Sequence, residues 1–344
     1  MKYFLSVIIG ILILTGFFWF FREGNCFSAF FSQENQGDSI SFISEKEVKG
    51  VKSQKEKSLS LESVAFPIAW VQPVKKSGSG DLAVPNAHAS LILDVDSGTI
   101  LHSYKGKERR QIASLTKLLT AVIAVEKVSN LNEEATISEE AVYAEGTKVG
   151  CPRSGYCVSE RLKIGEKLSV KSLLKAMLMN SANDAAIALA EHISGSQEKF
   201  AELMNEKVRR MGLKDSHFCT PSGLEIDGRE NECYSSAYDI ARVAAYSMKY
   251  DIIWEILRLP ETEIISTDGK YTHQIMNTDR LLEQLPNCLG GKTGFTPLAG
   301  RSLLTAASDL SGKHKIVIVV LDDPYRWQDV QMMASWAFSS YEWL

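Results

Sequence analysis

The sequence predicts an α+β fold in which strands near both ends of the ordered region form one antiparallel sheet, flanked by helices with a helical subdomain. Three observations support it. Two β-rich runs lie at 89–94 and 99–104, three more lie between 290 and 321, and the chain between them is dominated by helical apolar spacing. Strands at both ends with helices between them are typical of a sheet shared by the two terminal segments.

The individual elements follow from local patterns. The runs 89–94 and 99–104 flank Asp96-Ser-Gly, a turn sequence typical of hairpins. A helix is predicted from Ser114 to about Val128, and because it is apolar nearly all round we expect it in the domain interior. The other predicted helices show helical spacing and lie at 170–179, 184–193, 200–211, 236–248 and 327–341. The last three predicted strands are separated by short turns and lie at 290–296, 301–308 and 315–321.

The first 22 residues predict the compartment. Residues 3–21 form a run of 19 residues without a charge, which at ~1.5 Å per residue is close to the ~30 Å core of a bilayer. A cleavable signal usually has a shorter apolar stretch of roughly 7–15 residues and a small-x-small cleavage site. We therefore expect residues 1–22 to be an uncleaved membrane anchor, with a cleaved signal as the alternative. Residues 23–85 are polar and predict a flexible linker, which leaves 86–344 as one folded domain.

Composition and cysteine spacing narrow the function. Among 344 residues, 45% are hydrophobic, and the net charge of −4 shows no clustered basic face. This argues against a nucleic-acid partner. Cys151 and Cys157 bracket one turn-rich loop, and Cys219 and Cys233 bracket another. Because no Cys-x-x-Cys pair is present, local disulfides in an exported protein are favoured over a metal site, although spacing alone leaves the connectivity open.

Three short motifs occur in order: Ser114-Leu-Thr-Lys117, Ser181-Ala-Asn183 and Lys292-Thr-Gly294. Each motif alone is weak. Together they resemble the motif set of the serine penicillin-recognising enzymes, and more specifically the D-alanyl-D-alanine carboxypeptidases among the low-molecular-mass penicillin-binding proteins. The resemblance covers about residues 86–344. It includes five segments: the Asn183-Asp-Ala-Ala…Leu-Ala-Glu helix, Met204-Asn205, Thr220-Pro-Ser-Gly-Leu224, Ala237-Tyr-Asp239 and Gly291-Lys-Thr-Gly-Phe-Thr296.

Ser114 and Lys117 are the predicted nucleophile and base. A serine hydroxyl is a poor nucleophile until a base removes its proton, and residues i and i+3 of a helix share one face. Lys117 can act as that base only if its pKa falls from ~10.4 toward neutrality. Burial and the positive charge of Lys292 would both lower it. The alternative, a capping serine followed by a surface lysine, conflicts with an interior helix.

The resemblance assigns roles to the second motif. Ser181 is expected to relay a proton to the leaving amine, and Asn183 is expected to hydrogen-bond the substrate amide. Many relatives carry Gly where this chain has Ala182. Without the other motifs, Ser-x-Asn would be interpreted as a helix-cap signal only.

The third motif predicts a substrate-binding edge strand. An extended peptide can add to such an edge by β-augmentation. Beside Lys292, Thr293 offers a hydroxyl to the terminal carboxylate, and Gly294 leaves room for close approach. The backbone N–H groups of Phe295 and Ser114 are expected to form the oxyanion hole.

Arg301 and the segment Asn277-Thr-Asp279 lie outside the three motifs. Arg301 is expected to lie beside Thr293 across the last hairpin, where its guanidinium could bind the substrate carboxylate with two hydrogen bonds; a solvated arginine is the alternative. Relatives often carry Asn-Thr-Asn where this chain reads Asn277-Thr-Asp279. We therefore leave that segment out of the predicted site.

The resemblance implies a serine DD-peptidase without a cofactor or metal. It would remove the terminal D-Ala from peptidoglycan stem peptides through an acyl-enzyme, and β-lactams would inhibit it covalently. The alternatives are a DD-endopeptidase of peptidoglycan cross-links, a serine β-lactamase and a non-catalytic penicillin-sensing wall protein. A class A β-lactamase needs a Glu to activate water, for which Glu202 is the candidate. We expect the protein to be located in the bacterial cell envelope, at the outer face of the cytoplasmic membrane. If the N-terminal segment is cleaved, we expect the protein to be secreted.

Overall fold

A computed structural model of the protein describes residues 71–152 and 156–344, all in one compact unit. The predicted anchor, and the predicted linker up to residue 70, lie outside the described residues. The first described strand, β1 (Pro73–Lys75), pairs with the last, β11 (Tyr341–Trp343). Val84 is buried in the core. The ordered region therefore begins before residue 86, because backbone pairing and apolar burial hold part of the segment that its polar composition predicted to be a flexible linker.

The central sheet has five antiparallel strands in the order β3-β2-β10-β9-β8. Its members are β2 (Ala89–Asp94), β3 (Ile100–Tyr104), β8 (Cys288–Thr296), β9 (Gly300–Ser308) and β10 (Lys315–Leu321). The pairing of β2 with β10 confirms that strands from both ends of the fold share one sheet. Within this sheet β8 lies at an edge, with β9 as its one neighbour.

The remaining elements lie between the two groups of strands or follow them. The helices are α1 (Lys117–Lys127), α2 (Glu139–Val142), α3 (Val170–Met179), α4 (Asn183–Ser194), α5 (Gln197–Arg210), α6 (Ala237–Ser247), α7 (Asp251–Arg258), α8 (Leu281–Gln284) and α9 (Arg326–Ser340). Two small antiparallel sheets pair β4 (Glu134–Thr136) with β5 (Lys167–Ser169) and β6 (Glu261–Ile265) with β7 (Thr272–Met276), and only the second is a hairpin. A 3₁₀ turn at Ala113–Thr116 precedes α1, and a second lies at Glu230–Glu232.

The sheet separates two apolar layers. In β10, Val317 and Val319 face the layer that contains α1, α3 and α4, whereas Ile316 and Ile318 face the layer that contains α9. Alternate residues of a strand point to opposite faces, so a strand buried on both sides is apolar throughout. Residues 118–124 of α1 are all buried, which confirms the interior position predicted for this helix.

Two disulfides join Cys151 to Cys157 and Cys219 to Cys233. The structure therefore has both of the local bridges expected from the sequence. Among the described residues Cys288 is the free cysteine, and it is half-buried.

Candidate active site

Ser114 lies in the 3₁₀ turn that leads into α1. The preceding residue, Ala113, has a φ of 48°, a left-handed conformation that is uncommon for a residue with a side chain. The backbone of Ala113 is closely packed against Gly223, whose own φ is +81°. A Cβ on Gly223 would lie only 2.1 Å from the Ala113 carbonyl oxygen. The loop 220–224 therefore packs directly on the turn that carries Ser114. Residues other than glycine that adopt the left-handed backbone conformation, as Ala113 does, cluster at functional sites.

Lys117 is the first residue of α1, and its side chain is fully buried. Its Nζ lies 2.8 Å from Ser114 Oγ, 2.6 Å from Asn183 Oδ1 and 2.6 Å from the Ser222 carbonyl oxygen. Burial lowers the pKa of Lys117 well below its usual value, and the positive charge of Lys292 lowers it further. The amine is therefore suited to accept a proton from Ser114 near neutral pH.

The turn between α3 and α4 holds the second motif. Ser181 is buried and has a φ of 58°, and its carbonyl oxygen accepts a hydrogen bond from Thr147 Oγ1 at 2.6 Å. Asn183 donates from Nδ2 to the Glu145 carbonyl at 2.7 Å and from its backbone N to the Thr147 carbonyl at 2.8 Å. These contacts orient the amide so that its oxygen faces Lys117.

The strand β8 packs against the turn before Ser114. A Cβ on Gly294 would lie 2.8 Å from the Ile112 carbonyl oxygen, so only a residue without a side chain allows this approach. Lys292 is 1% exposed. Burial, and then the charge of Arg326, lower its pKa to about 7, while Asp279 opposes the shift.

The segment that we left out of the predicted site contacts it. Thr278 Oγ1 lies 2.8 Å from Thr293 Oγ1, and the Thr278 backbone N donates to the Met179 carbonyl at the end of α3. The segment therefore touches a residue of the predicted site, although the prediction left it out. The segment differs from the common Asn-Thr-Asn only at Asp279, so Thr278 is the usual residue. The contact depends on packing against α3, which no local pattern indicates.

The prediction that Arg301 lies directly across the hairpin from Thr293 is wrong. In the β8–β9 register Arg301 opposes Phe295, and Thr293 opposes Leu303. Thr293 and Arg301 are therefore diagonal neighbours, which lie ~7–8 Å apart in such a pair. Arg301 is exposed, and so is Phe295.

A second arginine, which sequence reasoning missed, lies beside β8. Arg326 is the first residue of α9, and its Nη1 donates to the carbonyl oxygens of Gly294 and Ser302 at 2.9 and 3.0 Å. It belongs to none of the three motifs. The sequence signal was only a basic residue next to the predicted start of the last helix.

The structure thus joins Ser114, Lys117 and Asn183 by hydrogen bonds and brings the charge of Lys292 close to them. The backbone at Gly294 packs on the same turn. In the described part of the chain, no three His, Cys, Asp or Glu side chains are grouped so that they could hold a metal ion. Over 71–152 and 156–344, no helix is both long and apolar enough to cross a membrane.

The fold is similar to that of solved penicillin-binding protein and DD-peptidase structures. The family model described as D-alanyl-D-alanine carboxypeptidase, peptidase S11, matches residues 79–325, and the chain belongs to this family.

Three similar proteins illustrate the relationship. D-alanyl-D-alanine carboxypeptidase DacF of Bacillus subtilis is 32% identical over 263 residues, which are 74% of this chain and 63% of DacF. A D-alanyl-D-alanine carboxypeptidase structure from Mycobacterium tuberculosis has a TM-score of 0.67 and 28% identity, covering 77% of this chain and 96% of that one. Penicillin-binding protein D2 of Listeria monocytogenes, solved with ampicillin bound, has a TM-score of 0.63 and 25% identity, covering 76% and 100%. The chain thus spans less than two thirds of the length of DacF.

Proposed function

We propose that the protein is a serine D-Ala-D-Ala carboxypeptidase that removes the terminal D-Ala from peptidoglycan stem peptides. One observation carries the proposal. The amine of Lys117 is fully buried and lies 2.8 Å from Ser114 Oγ, and its three hydrogen-bond partners within the described residues are uncharged. Membership of the S11 family supports the substrate class.

In the first half-reaction Lys117 accepts the proton of Ser114 Oγ, and the oxygen attacks the carbonyl carbon between the two D-Ala residues. The carbonyl oxygen becomes an oxyanion, and the N–H groups of Ser114 and Phe295 stabilise it, at ~3–4 kcal/mol per donor. The substrate amide hydrogen-bonds to Asn183. The positive charge of Lys292 attracts the terminal carboxylate.

The C–N bond then breaks and the acyl-enzyme forms. Ser181 passes the proton from Lys117 to the leaving amine, which departs as D-Ala. Thr293 binds the carboxylate of that D-Ala through its hydroxyl, and Gly294 admits the substrate backbone beside the strand. Water next attacks the Ser114 ester, Lys117 accepts a proton from the water, and this proton returns to Ser114 Oγ. The stem peptide leaves one residue shorter.

β-Lactams would acylate Ser114 in the same way, because their strained amide would occupy the position of the D-Ala-D-Ala bond. The ampicillin-bound form of the similar Listeria protein supports this expectation. The β-lactamase alternative has less support. Glu202 is exposed on α5, and no hydrogen bond within residues 71–152 and 156–344 links its carboxylate to Ser114.

The deciding experiment is mass spectrometry of products formed from a pentapeptide muropeptide and from a cross-linked dimer. Release of D-Ala from the pentapeptide, abolished in Ser114→Ala, is the expected result. Cleavage of the dimer alone would establish the endopeptidase alternative. No change in either substrate, by a protein that folds, would contradict the proposed activity.

We also propose that residues 3–21 hold the protein at the outer face of the cytoplasmic membrane. The uncharged run in the sequence supports this assignment. Cell fractionation with N-terminal peptide mass spectrometry tests it. Recovery of the N-terminal peptide in the membrane fraction is expected, whereas a mature protein that begins after residue 22 and is found in the medium would show a cleaved signal.

A further inference from the structure

The disulfide loop 219–233 lies against the turn that carries Ser114. Gly223 of this loop packs on the carbonyl oxygen of Ala113, the residue that precedes the nucleophile. The carbonyl oxygen of Ser222 accepts a hydrogen bond at 2.6 Å from the amine of the proposed base. The loop therefore holds both the nucleophile turn and the base through its backbone atoms.

The same loop reaches the end of β8 through Glu225. Thr296 Oγ1 donates to Glu225 Oε1 at 2.5 Å and accepts from the Ala299 backbone N at 3.0 Å. Because an amide N–H can only donate, the proton of the hydroxyl is left for the carboxylate. A hydroxyl that donates to a carboxylate makes a stronger bond than one that donates to a neutral group. Thr296 is buried, and among the residues that the structure describes no other hydrogen bond joins this loop to β8.

Three contacts connect three segments around the site: the loop touches the nucleophile turn, the turn touches β8, and the loop touches β8. Gly294 makes the second contact, on the Ile112 carbonyl oxygen. Gly294 and Thr296 lie on the same face of β8, because alternate residues of a strand point the same way. The two N–H groups of the proposed oxyanion hole, at Ser114 and Phe295, belong to the turn and to β8. The third contact therefore limits how far these two donors can move apart.

We propose that Glu225 is a positioning residue for the proposed carboxypeptidase reaction: its hydrogen bond with Thr296 fixes the end of β8 relative to the disulfide loop and so keeps the two oxyanion donors at the spacing that the transition state needs. This inference rests on the proposed function. Within the described residues Glu225 makes no hydrogen bond to Ser114 or Lys117, so it acts through β8. It belongs to none of the three motifs.

The kinetic consequence of this role differs from that of a purely structural bond. The oxyanion forms only during acylation, so donors aimed at it stabilise the transition state more than the bound substrate. A displaced donor therefore lowers the acylation rate constant k2 and leaves the dissociation constant Kd of the preceding noncovalent complex nearly unchanged. A hydrogen bond that served only the stability of the loop would change neither constant in the folded protein.

The test is stopped-flow acylation of the full chain over a range of fluorescent penicillin concentrations, which gives k2 and Kd separately. Glu225→Ala is expected to lower k2 about tenfold, with Kd changed less than about twofold; this is a smaller loss than the ~10²–10³-fold seen when an oxyanion donor is removed outright. Glu225→Gln keeps an oxygen acceptor, although a neutral one, and should stay within about threefold of wild type.

The partner of the bond provides a second measurement. Thr296→Val removes the hydroxyl and should also lower k2, whereas Thr296→Ser keeps the hydroxyl and should preserve most of it. In the double variant that combines Glu225→Ala with Thr296→Val, k2 should be no lower than in the slower single variant, because both changes break the same bond.

The matched control is Asp227→Ala, because Asp227 is an exposed acid of the same loop, and its k2 should equal that of wild type. An unchanged k2 in Glu225→Ala, an equal loss in Asp227→Ala, or single losses that multiply in the double variant would overturn the inference. If Glu225→Ala does not fold, a normal k2 in Thr296→Val would overturn it as well. Failure of the wild type to react with penicillin at any concentration would instead contradict the proposed function.

Discussion

Two buried lysines lie near opposite ends of α1 and have different surroundings. Lys117, at the start of the helix, is fully buried and bonded to Ser114 Oγ, an amide oxygen and a backbone carbonyl. Lys207, on α5, is 9% exposed and reaches Glu126 near the end of α1. Its Nζ lies 2.8 Å from Glu126 Oε1 and 2.7 Å from Tyr246 OH.

The comparison shows that burial alone does not make a lysine reactive. A carboxylate beside a buried lysine stabilises the ammonium form, and the pair serves the structure. Neutral partners and a second cation favour the free amine, which can act as a base. The side chain is the same, and the partners decide its role.

The largest expected effect is that of Ser114→Ala. Lys117 would keep its burial and its contacts with Asn183 and Ser222, but no hydroxyl would remain for it to activate. We expect covalent labelling by a fluorescent penicillin to vanish while the thermal unfolding temperature stays close to that of wild type. Undiminished labelling would show that another residue is the nucleophile.

The two lysines should respond oppositely to the same substitution. Lys117→Met is expected to lower the acylation rate about 10²–10⁴-fold, the range for a lost general base, with little loss of stability. Lys207→Met should leave acylation nearly unchanged and lower the free energy of unfolding by about 2 kcal/mol. That is less than for a fully buried pair, because Glu126 is partly exposed. Stopped-flow labelling and urea unfolding measure the two effects, and parallel losses in both variants would break the distinction.

A smaller effect is expected in how the free energy of unfolding of wild type and Lys117→Met changes with pH. Because the pKa of Lys117 is lowered in the folded protein, the unfolded chain binds more protons between the native pKa and ~10.4. The free energy of unfolding of wild type therefore rises with pH there, by at most about 1.4 kcal/mol per pH unit for one proton. Lys117→Met lacks this contribution, so any stability advantage of the variant should shrink from pH 7 to 10. A constant difference, measured by urea unfolding, would mean that Lys117 is protonated in the folded state.

The smallest expected effect on acylation is that of replacing Arg301, which is exposed, whereas Lys292 is buried. Arg301 is exposed and opposes Phe295, so solvent screens its charge. Arg301→Ala should reduce acylation about threefold or less, and only for penicillins with a free carboxylate. Amidating that carboxylate should remove the difference between variant and wild type. An equal loss for acid and amide would indicate that Arg301 serves the structure alone.

Local patterns predicted some elements closely. The helix Val170–Met179 and the strand Lys315–Leu321 have the predicted limits, because apolar periodicity and β-branched residues identify them locally. Asp251–Arg258 was missed. It is only eight residues long, and its N-cap residue Tyr250 makes no side-chain capping bond, so its stability depends on packing. The hairpin of β6 and β7 was missed as well, since its alternation is short and its outer face polar.

The sequence by itself determined the contents of the candidate site. Ser114 and Lys117 are one turn apart, and that spacing alone places their side chains on one face. The two disulfide loops and the edge strand with Lys292 were also readable locally. The residues that define each of these features are at most 14 positions apart, and over such short stretches backbone geometry restricts what can meet.

Only the tertiary structure decided which groups surround these residues. Lys117 contacts Asn183 and Ser222, which are 66 and 105 residues away. The pKa of Lys292 responds to two charged groups that no motif contains, Arg326 and Asp279. The protonation of both lysines depends on burial and on nearby charge, which act through space. Distances between segments so far apart are set by the packing of the whole domain, and a local pattern carries no information about them.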